Sequence, residues 1–215
     1  MRDLLPVDPD LELIHTRKYE TQVYLVSDAE LLARGAVRDT KPPGLYIEGD
    51  PEELDIHEMH VELRVSLPDL VITNARVAFE THPAATCPHI VEDYERLVGL
   101  SIARGFTHKV RELFGGPRGC THTTALIQAM APAVVQSVWS VNIRRRRLSG
   151  ASEAAENDAQ QQRQFAGNLN TCHVWAEDGN HVALIRKGER PPVPLQLTER
   201  LVQLGRDPTK WGGRK

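Results

Sequence analysis

The clearest pattern in the chain is a strict alternation of apolar and polar positions that begins at His57. Every second residue from Met59 onward is apolar: Met59, Val61, Leu63, Val65 and Leu67. His57 lies two residues before Met59 and belongs to the same set of positions. The positions between them are polar or charged: His60, Glu62, Arg64 and Ser66. A two-residue period predicts a β-strand with one buried and one solvent-facing side. The alternation therefore predicts that His57 points into the protein and His60 points outward.

Similar alternation predicts three more strands in the first part of the chain. Two of them lie near residues 19–25 and 31–40. A turn at Leu67-Pro68-Asp69-Leu70 then predicts an antiparallel hairpin with a following strand. The inward positions predicted for that strand are Val71, Thr73, Ala75, Val77 and Phe79.

Beyond His82-Pro83 the apolar spacing becomes helical. Two predicted faces consist of Tyr94, Leu97, Val98 and Leu100, and of Phe106, Val110, Leu113 and Phe114. A longer apolar run from Ala125 to Trp139 predicts a long helix that Pro132 kinks. The glycine-rich stretch before it places Cys120 and His122 at the helix N-terminus.

These elements predict an α+β fold in which helices cover one face of an antiparallel sheet. Residues 1–18 are expected to be a leader, and residues 19–148 a core domain that carries the Cys/His site. Residues 149–215 are expected to form a polar connector, a β-hairpin and a tail that packs on the core. The hairpin prediction rests on Asp178-Gly179, a strong turn signal, between residues 171–175 and 181–186.

Composition narrows the class of protein. The chain has 215 residues, with 40% hydrophobic and 26% charged residues, as is usual for soluble globular proteins. A formal net charge of −3 argues against general nucleic-acid binding. The sequence contains no run of 18 uninterrupted apolar residues, so we expect no membrane span. Three cysteines do not suggest a disulfide framework, and the N-terminus lacks the apolar segment of a signal peptide. We therefore expect a cytoplasmic protein, with a homodimer as one option.

Cys120 and His122 are the leading candidates for chemistry. A thiol at a helix N-terminus gains thiolate character, the form that binds soft metals and attacks carbonyl groups. Cys87 lies at another predicted helix start, next to Pro88-His89, and His57 heads the buried strand face. His57, Cys87, Cys120 and His122 are therefore predicted metal ligands, and mixed thiolate and imidazole ligands suit zinc or iron. The alternative is that the cysteines only pack or cap helices.

Two further motifs have simpler interpretations. Cys172-His173 lies at the start of the predicted late hairpin, where alternation turns only one of the two side chains inward. We interpret it as part of a half-buried edge strand. Arg144–Arg147 is interpreted as a solvated helix end rather than a phosphate-binding or nucleic-acid-binding patch.

The order of these motifs resembles the bacterial domain-of-unknown-function 2889 family. The resemblance runs from about Tyr19 to Val141, and four motifs carry it: Ile56-His57-Glu58-Met59, Cys87, Leu97-Val98-Gly99-Leu100, and Gly115-Gly116-x-x-Gly119-Cys120-Thr121-His122. Members usually have Leu after Cys-Thr-His, whereas this chain has Thr123. The resemblance implies the fold and the site more than a reaction.

A more distant likeness is to the NifU/SufU-type iron–sulfur scaffold, in which a cysteine also begins the last long helix. By position, the likeness implies that His57, Cys87 and Cys120 correspond to its ligands for zinc or a nascent cluster. The Cys-Gly-Asp motif of that scaffold is absent from this chain.

Three functions remain open from sequence. The first is a hydrolase or lyase that acts on a small carbonyl or acyl substrate, either with a bound metal or with Cys120 as nucleophile and His122 as base. The second is a non-enzymatic metal or iron–sulfur carrier. The third is a small-ligand or partner-binding module in which the cysteines are structural.

Overall fold

The computed structural model describes residues 5–6, 8–103, 105–149, 162, 165–189 and 191–210. The chain divides into two compact units, Met1–Val141 and Asn142–Lys215. Most of the predicted polar connector, residues 149–168, lies outside the described residues.

The first unit is built on an antiparallel four-stranded sheet. Its strands are β1 (Thr16–Ser27), β2 (Glu30–Lys41), β3 (Leu54–Ser66) and β4 (Val71–Thr81). They lie in the order β1-β2-β3-β4, so each strand pairs with its neighbours in sequence. Together with the helices that follow, this sheet confirms the α+β prediction.

The predicted alternation in β2 and β3 is confirmed. The buried positions of these strands include Leu31, Ala33, Val37, Met59, Val61, Leu63 and Val65. His57 shares their side of the sheet, and its side chain is 20% exposed against 46% for His60. Side chains at alternate positions of a strand point to opposite faces, which explains the difference.

The prediction for β4 was wrong at its start. Arg64 pairs with Asn74 and Val65 pairs with Ile72, so Thr73 is an extra residue that shifts the register. Ile72 is therefore buried and Thr73 is exposed. A β-bulge of this kind reverses the alternation on one side of the extra residue, and a simple two-residue period does not reveal it.

Short helical segments connect the sheet to the long helix. The chain forms 3-10 turns at Cys87–Ile90, Glu92–Leu97 and Gly116–Arg118, with helix α1 (Phe106–Phe114) between the second and third. Helix α2 (Thr121–Ser149) begins directly after Cys120, as predicted.

Helix α2 packs closely against the sheet through its first half. Leu126, Ile127, Met130 and Val134 are fully buried. A Cβ atom on Gly35 of β2 would collide with Met130 Sδ and lie 3.1 Å from Leu126 Cδ1. The glycine therefore permits the close approach of helix and sheet that brings the start of α2 over the site.

By length and composition alone, α2 is also apolar enough to cross a membrane. Core helices share this property. Within the apolar stretch of α2 that meets this criterion, 39% is buried inside the protein.

The second unit is helical where it is described. It contains 3-10 turns at His173–Trp175 and Pro208–Lys210, and helices α3 (Asn180–Arg186) and α4 (Leu195–Gln203).

The predicted hairpin at residues 171–186 was wrong. Gly179 precedes the first turn of α3 instead of turning a hairpin, and Val182 is fully buried within that helix. Short apolar runs fit a helix and a strand equally well, and a glycine before such a run serves a turn or a helix start. Cys172 precedes a 3-10 turn and is exposed, so it does not belong to an edge strand.

Candidate functional site

A row of polar side chains crosses three neighbouring strands on the helix-covered face of the sheet. Arg17 of β1 lies directly opposite Asp39 of β2, and Asp39 lies directly opposite His57 of β3. Directly opposite residues in an antiparallel sheet point to the same face. His122 reaches this row from the first turn of α2. Four residues that are distant in sequence therefore meet at one place.

Asp39 is the centre of this cluster, and its side chain is only 2% exposed. Arg17 Nε donates to Oδ1 at 2.6 Å, and Arg17 Nη2 donates to Oδ2 at 2.7 Å. This bidentate ion pair lowers the pKa of Asp39 to about 2, although burial opposes the shift. Hydrogen bonding to Asp39 in turn raises the pKa of Arg17. Asp39 is thus an anion and Arg17 a cation at any physiological pH.

Two imidazole rings face the same oxygen of Asp39. His122 Nε2 lies 3.0 Å from Oδ2, and His57 Nδ1 lies 3.2 Å from it. The rings stack with their centroids 4.0 Å apart. Burial lowers the pKa of His122, and the nearby His57 and Arg17 lower it further against the attraction of Asp39. The protonated form of His122 is therefore less favoured than that of an ordinary histidine.

His57 Nδ1 is a buried nitrogen without a hydrogen-bond partner among the described residues. Its contact with Asp39 meets the distance of an ion pair but not the angles of a hydrogen bond. A misdirected N–H or lone pair gains little from proximity, so this contact does not satisfy the nitrogen. A buried polar atom of this kind costs stability unless something satisfies it.

The donor atoms of Asp39, His57 and His122 all lie within 4.8 Å of one another. Two imidazoles and one carboxylate form a ligand set of catalytic zinc sites and of non-haem iron(II) sites. In both, the ligand set leaves positions open for water or substrate. The cluster therefore has the chemistry and the spacing to hold a divalent metal ion.

Cys120 contacts the opposite edge of the His122 ring. Its Sγ lies 3.7 Å from His122 Nδ1, whereas Nε2 of the same ring faces Asp39. The backbone N–H of Cys120 donates to the hydroxyl of the buried Tyr94 at 2.8 Å. Tyr94 thereby fixes the start of α2, and with it the positions of Cys120 and His122.

Two of the four predicted metal ligands, His57 and His122, belong to the converging group. Cys120 lies beside this group without joining it, since the group found among the described residues comprises Asp39, His57 and His122. Cys87 begins a 3-10 turn and is half-buried, outside that group. The assignment of the two thiols as ligands stays a prediction.

Three residues of the cluster were not predicted from the sequence. Asp39 and Arg17 form its central ion pair, and His15 Nε2 lies 3.4 Å from Asp39 Oδ1. One signal was present in the sequence. Asp39 shares the parity of the buried Leu31, Ala33 and Val37, and a carboxylate on an apolar strand face requires a partner.

The Arg17–Asp39 pair predicts a specific acid sensitivity. Because the folded-state pKa of Asp39 is about 2, below its ordinary 3.8, ionised Asp39 stabilises the fold above about pH 4. This stabilisation, about 2 kcal/mol, is lost as pH falls through 2. The difference in unfolding free energy between the wild-type protein and Asp39→Asn should therefore shrink between pH 5 and pH 2. Urea unfolding at a series of pH values measures it, and a difference that stays constant or grows would contradict the assignment.

The fold and the cluster together define an α+β protein with a two-histidine, one-carboxylate site at the junction of sheet and helix. Residues 15–136 match the family described as Protein of unknown function (DUF2889). The match covers more than half of the chain, so the protein belongs to this family. It includes Arg17, Asp39, His57, Cys120 and His122.

No curated protein and no solved structure matches the chain. The likeness to the NifU/SufU-type scaffold therefore stays a prediction from sequence.

Proposed function

We propose that the protein is an enzyme that binds one zinc or iron(II) ion through Asp39, His57 and His122 and acts on a small carbonyl or acyl substrate. The observation that carries the proposal is the convergence of three ligand atoms, one of which, His57 Nδ1, has no hydrogen-bond partner among the described residues. A metal ion at this point would satisfy that nitrogen.

The surroundings of the three ligands suit this role. Arg17 bonds both oxygens of Asp39 and holds its carboxylate in one orientation. Cys120 Sγ lies against the other nitrogen of His122, where it orients the ring. Partners of this kind fix metal ligands in position and are part of the design of metal sites. The open position of the metal would polarise a carbonyl oxygen or activate a water molecule.

The same geometry favours an enzyme over a carrier of iron–sulfur clusters. Such clusters are held mainly by cysteine thiolates. Among the described residues, neither Cys87 nor Cys120 belongs to the converging group. The metal ligands are also largely buried, which suits a pocket more than an open site for transfer.

A metal titration tests the proposal. The protein is treated with a chelator, and zinc(II), cobalt(II) and iron(II) are then added under anaerobic conditions. We expect one equivalent per chain with a dissociation constant below about 1 μM, and with cobalt(II) a visible absorption spectrum that reports nitrogen and oxygen ligands. Binding that is weaker than this for all three metals, or that exceeds one site without saturation, would refute the metal centre.

A second candidate has its own observation in favour. His122 contacts Cys120 on one side and Asp39 on the other, with 3.7 Å from Sγ to Nδ1 and 3.0 Å from Nε2 to Oδ2. This is the order of nucleophile, base and orienting carboxylate in covalent catalysis. Backbone N–H groups at the start of α2 would then stabilise a developing oxyanion. In this version the enzyme is a metal-free acyl hydrolase.

Replacement of Cys120 by serine tests whether the thiol is itself a metal ligand. We expect Cys120→Ser to bind one metal equivalent with an affinity within about tenfold of wild type, because Sγ contacts only the outer nitrogen of His122 and a serine hydroxyl keeps a hydrogen-bonding atom there. Metal titration and a thermal melt measure this, and we expect little change in melting temperature because the side chain is only partly buried.

The nucleophile candidate requires a different outcome. Cys120 should then react with iodoacetamide at neutral pH faster than Cys87, which serves as the matched half-buried thiol. Replacement of His122 by glutamine should abolish that advantage. Equal alkylation rates for the two thiols would eliminate the nucleophile.

A further inference from the structure

Basic groups outnumber acidic groups around Asp39. Arg17, His15, His57 and His122 all lie within 3.4 Å of its carboxylate oxygens. Arg17 alone already bonds both oxygens. In the described part of the chain, Asp39 is the carboxylate that these four groups share. A bound divalent metal would add two positive charges, leaving the site clearly cationic.

Two of the basic groups, Arg17 and His15, lie on the accessible side of the site. The side chains of Arg17 and His15 are each 38% exposed, whereas Asp39 is 2% and His122 is 14% exposed. Both exposed groups come from β1 or the residue just before it, so they form one rim. Arg17 uses Nε and Nη2 for Asp39, and Nη1 is not part of that pair. The side chain of Tyr19 also hydrogen-bonds Arg17.

We propose that the substrate carries a carboxylate group, which Arg17 and His15 bind while its reacting carbonyl oxygen takes the open position on the metal. This inference rests on the proposed metal centre and adds the substrate class, small oxo- or acyl-carboxylic acids. A planar guanidinium matches a carboxylate in shape and charge, and His15 adds a second donor.

The spacing agrees with this substrate class. Arg17 Nη2 donates at 2.7 Å to Oδ2, the oxygen that both histidines face. A metal bound to Oδ2 would lie at most about 5 Å from Nη2, given metal–oxygen bonds of about 2 Å. A carbonyl oxygen and an adjacent carboxylate are close enough together to reach both groups at once.

Cobalt(II)-loaded protein provides the test, because its visible spectrum reports ligands that enter the metal's coordination sphere. Pyruvate is compared with butane-2,3-dione, a neutral molecule of similar shape, and with inorganic phosphate. We expect pyruvate to change the spectrum at a concentration at least about tenfold lower than either of the others. Equal responses to pyruvate and the dione, no response to pyruvate, or a stronger response to phosphate would each overturn the inference.

Two variants locate the anion contact, and a third serves as control. His15→Ala should weaken the pyruvate response at least about fivefold, with cobalt affinity within about tenfold of wild type. Arg17→Lys should weaken the pyruvate response at least about tenfold at saturating cobalt(II), because the loss of a partner of Asp39 also lowers the metal affinity itself about 10- to 100-fold. His108→Ala removes an exposed histidine that pairs only weakly with Glu112 at 3.4 Å, and it should change neither property. An unchanged pyruvate response in both rim variants would contradict the contact.

The outcomes also distinguish a failure of the proposed substrate class from a failure of the proposed metal centre. Wild-type protein that shows no cobalt(II) spectrum contradicts the metal centre and the substrate class together. A normal cobalt(II) spectrum without a preference for pyruvate contradicts only the substrate class.

Discussion

Asp39→Asn is expected to lower metal affinity at least about 100-fold and to reduce the free energy of unfolding by about 3 kcal/mol. The amide keeps the shape of the carboxylate but loses its charge. The metal then loses its only anionic ligand, and the loss of even outer partners costs 10- to 100-fold. Arg17 loses its buried counter-ion, and breaking a buried ion pair costs about 3–5 kcal/mol, somewhat less here because Arg17 is partly exposed. Metal titration and urea unfolding at pH 7 measure the two effects.

Asp55→Asn is the matched control for this change. Asp55 accepts a hydrogen bond from Thr40 and lies 3.4 Å from Arg38, but its side chain is 37% exposed. Surface ion pairs contribute at most about 1 kcal/mol. We therefore expect a small loss of stability and unchanged metal affinity. Similar losses in both variants would show that Asp39 contributes no more than an ordinary surface carboxylate.

His57→Ala should lower metal affinity at least about 100-fold, whereas His60→Ala should leave it within twofold of wild type. The two residues belong to the same strand, but His57 faces Asp39 and His60 pairs with Glu58 on the outer face. Titration with zinc(II) in competition with a chromogenic chelator measures both. The strand register would be wrong if His60→Ala were as damaging, and the metal centre would be wrong if His57→Ala had no effect.

The sequence predicts half of this site because strand parity is a local property. The alternation that begins at His57 turns that residue inward without reference to any other strand. The glycine-rich stretch before α2 likewise predicts that Cys120 and His122 lie at a helix start, and the structure has them there.

The other half depends on pairing between strands. Arg17 meets Asp39, and Asp39 meets His57, only because β1, β2 and β3 pair in one particular register. A shift of one residue would turn Asp39 to the other face. Register depends on turns and bulges, such as the one at Thr73, that sequence periodicity does not fix. The sequence alone therefore could not predict this row of side chains, although its alternation does indicate that Asp39 points inward.

His122 uses its two ring nitrogens for two different neighbours, and a neutral imidazole carries only one proton between them. A ring that ligates a metal through Nε2 keeps its proton on Nδ1, toward Cys120. A ring that activates the thiol keeps its proton on Nε2, toward Asp39. The two chemistries therefore require opposite tautomers of one side chain, and metal binding withdraws the base from Cys120. Nitrogen-15 chemical shifts of His122, recorded with and without metal, would identify the tautomer directly.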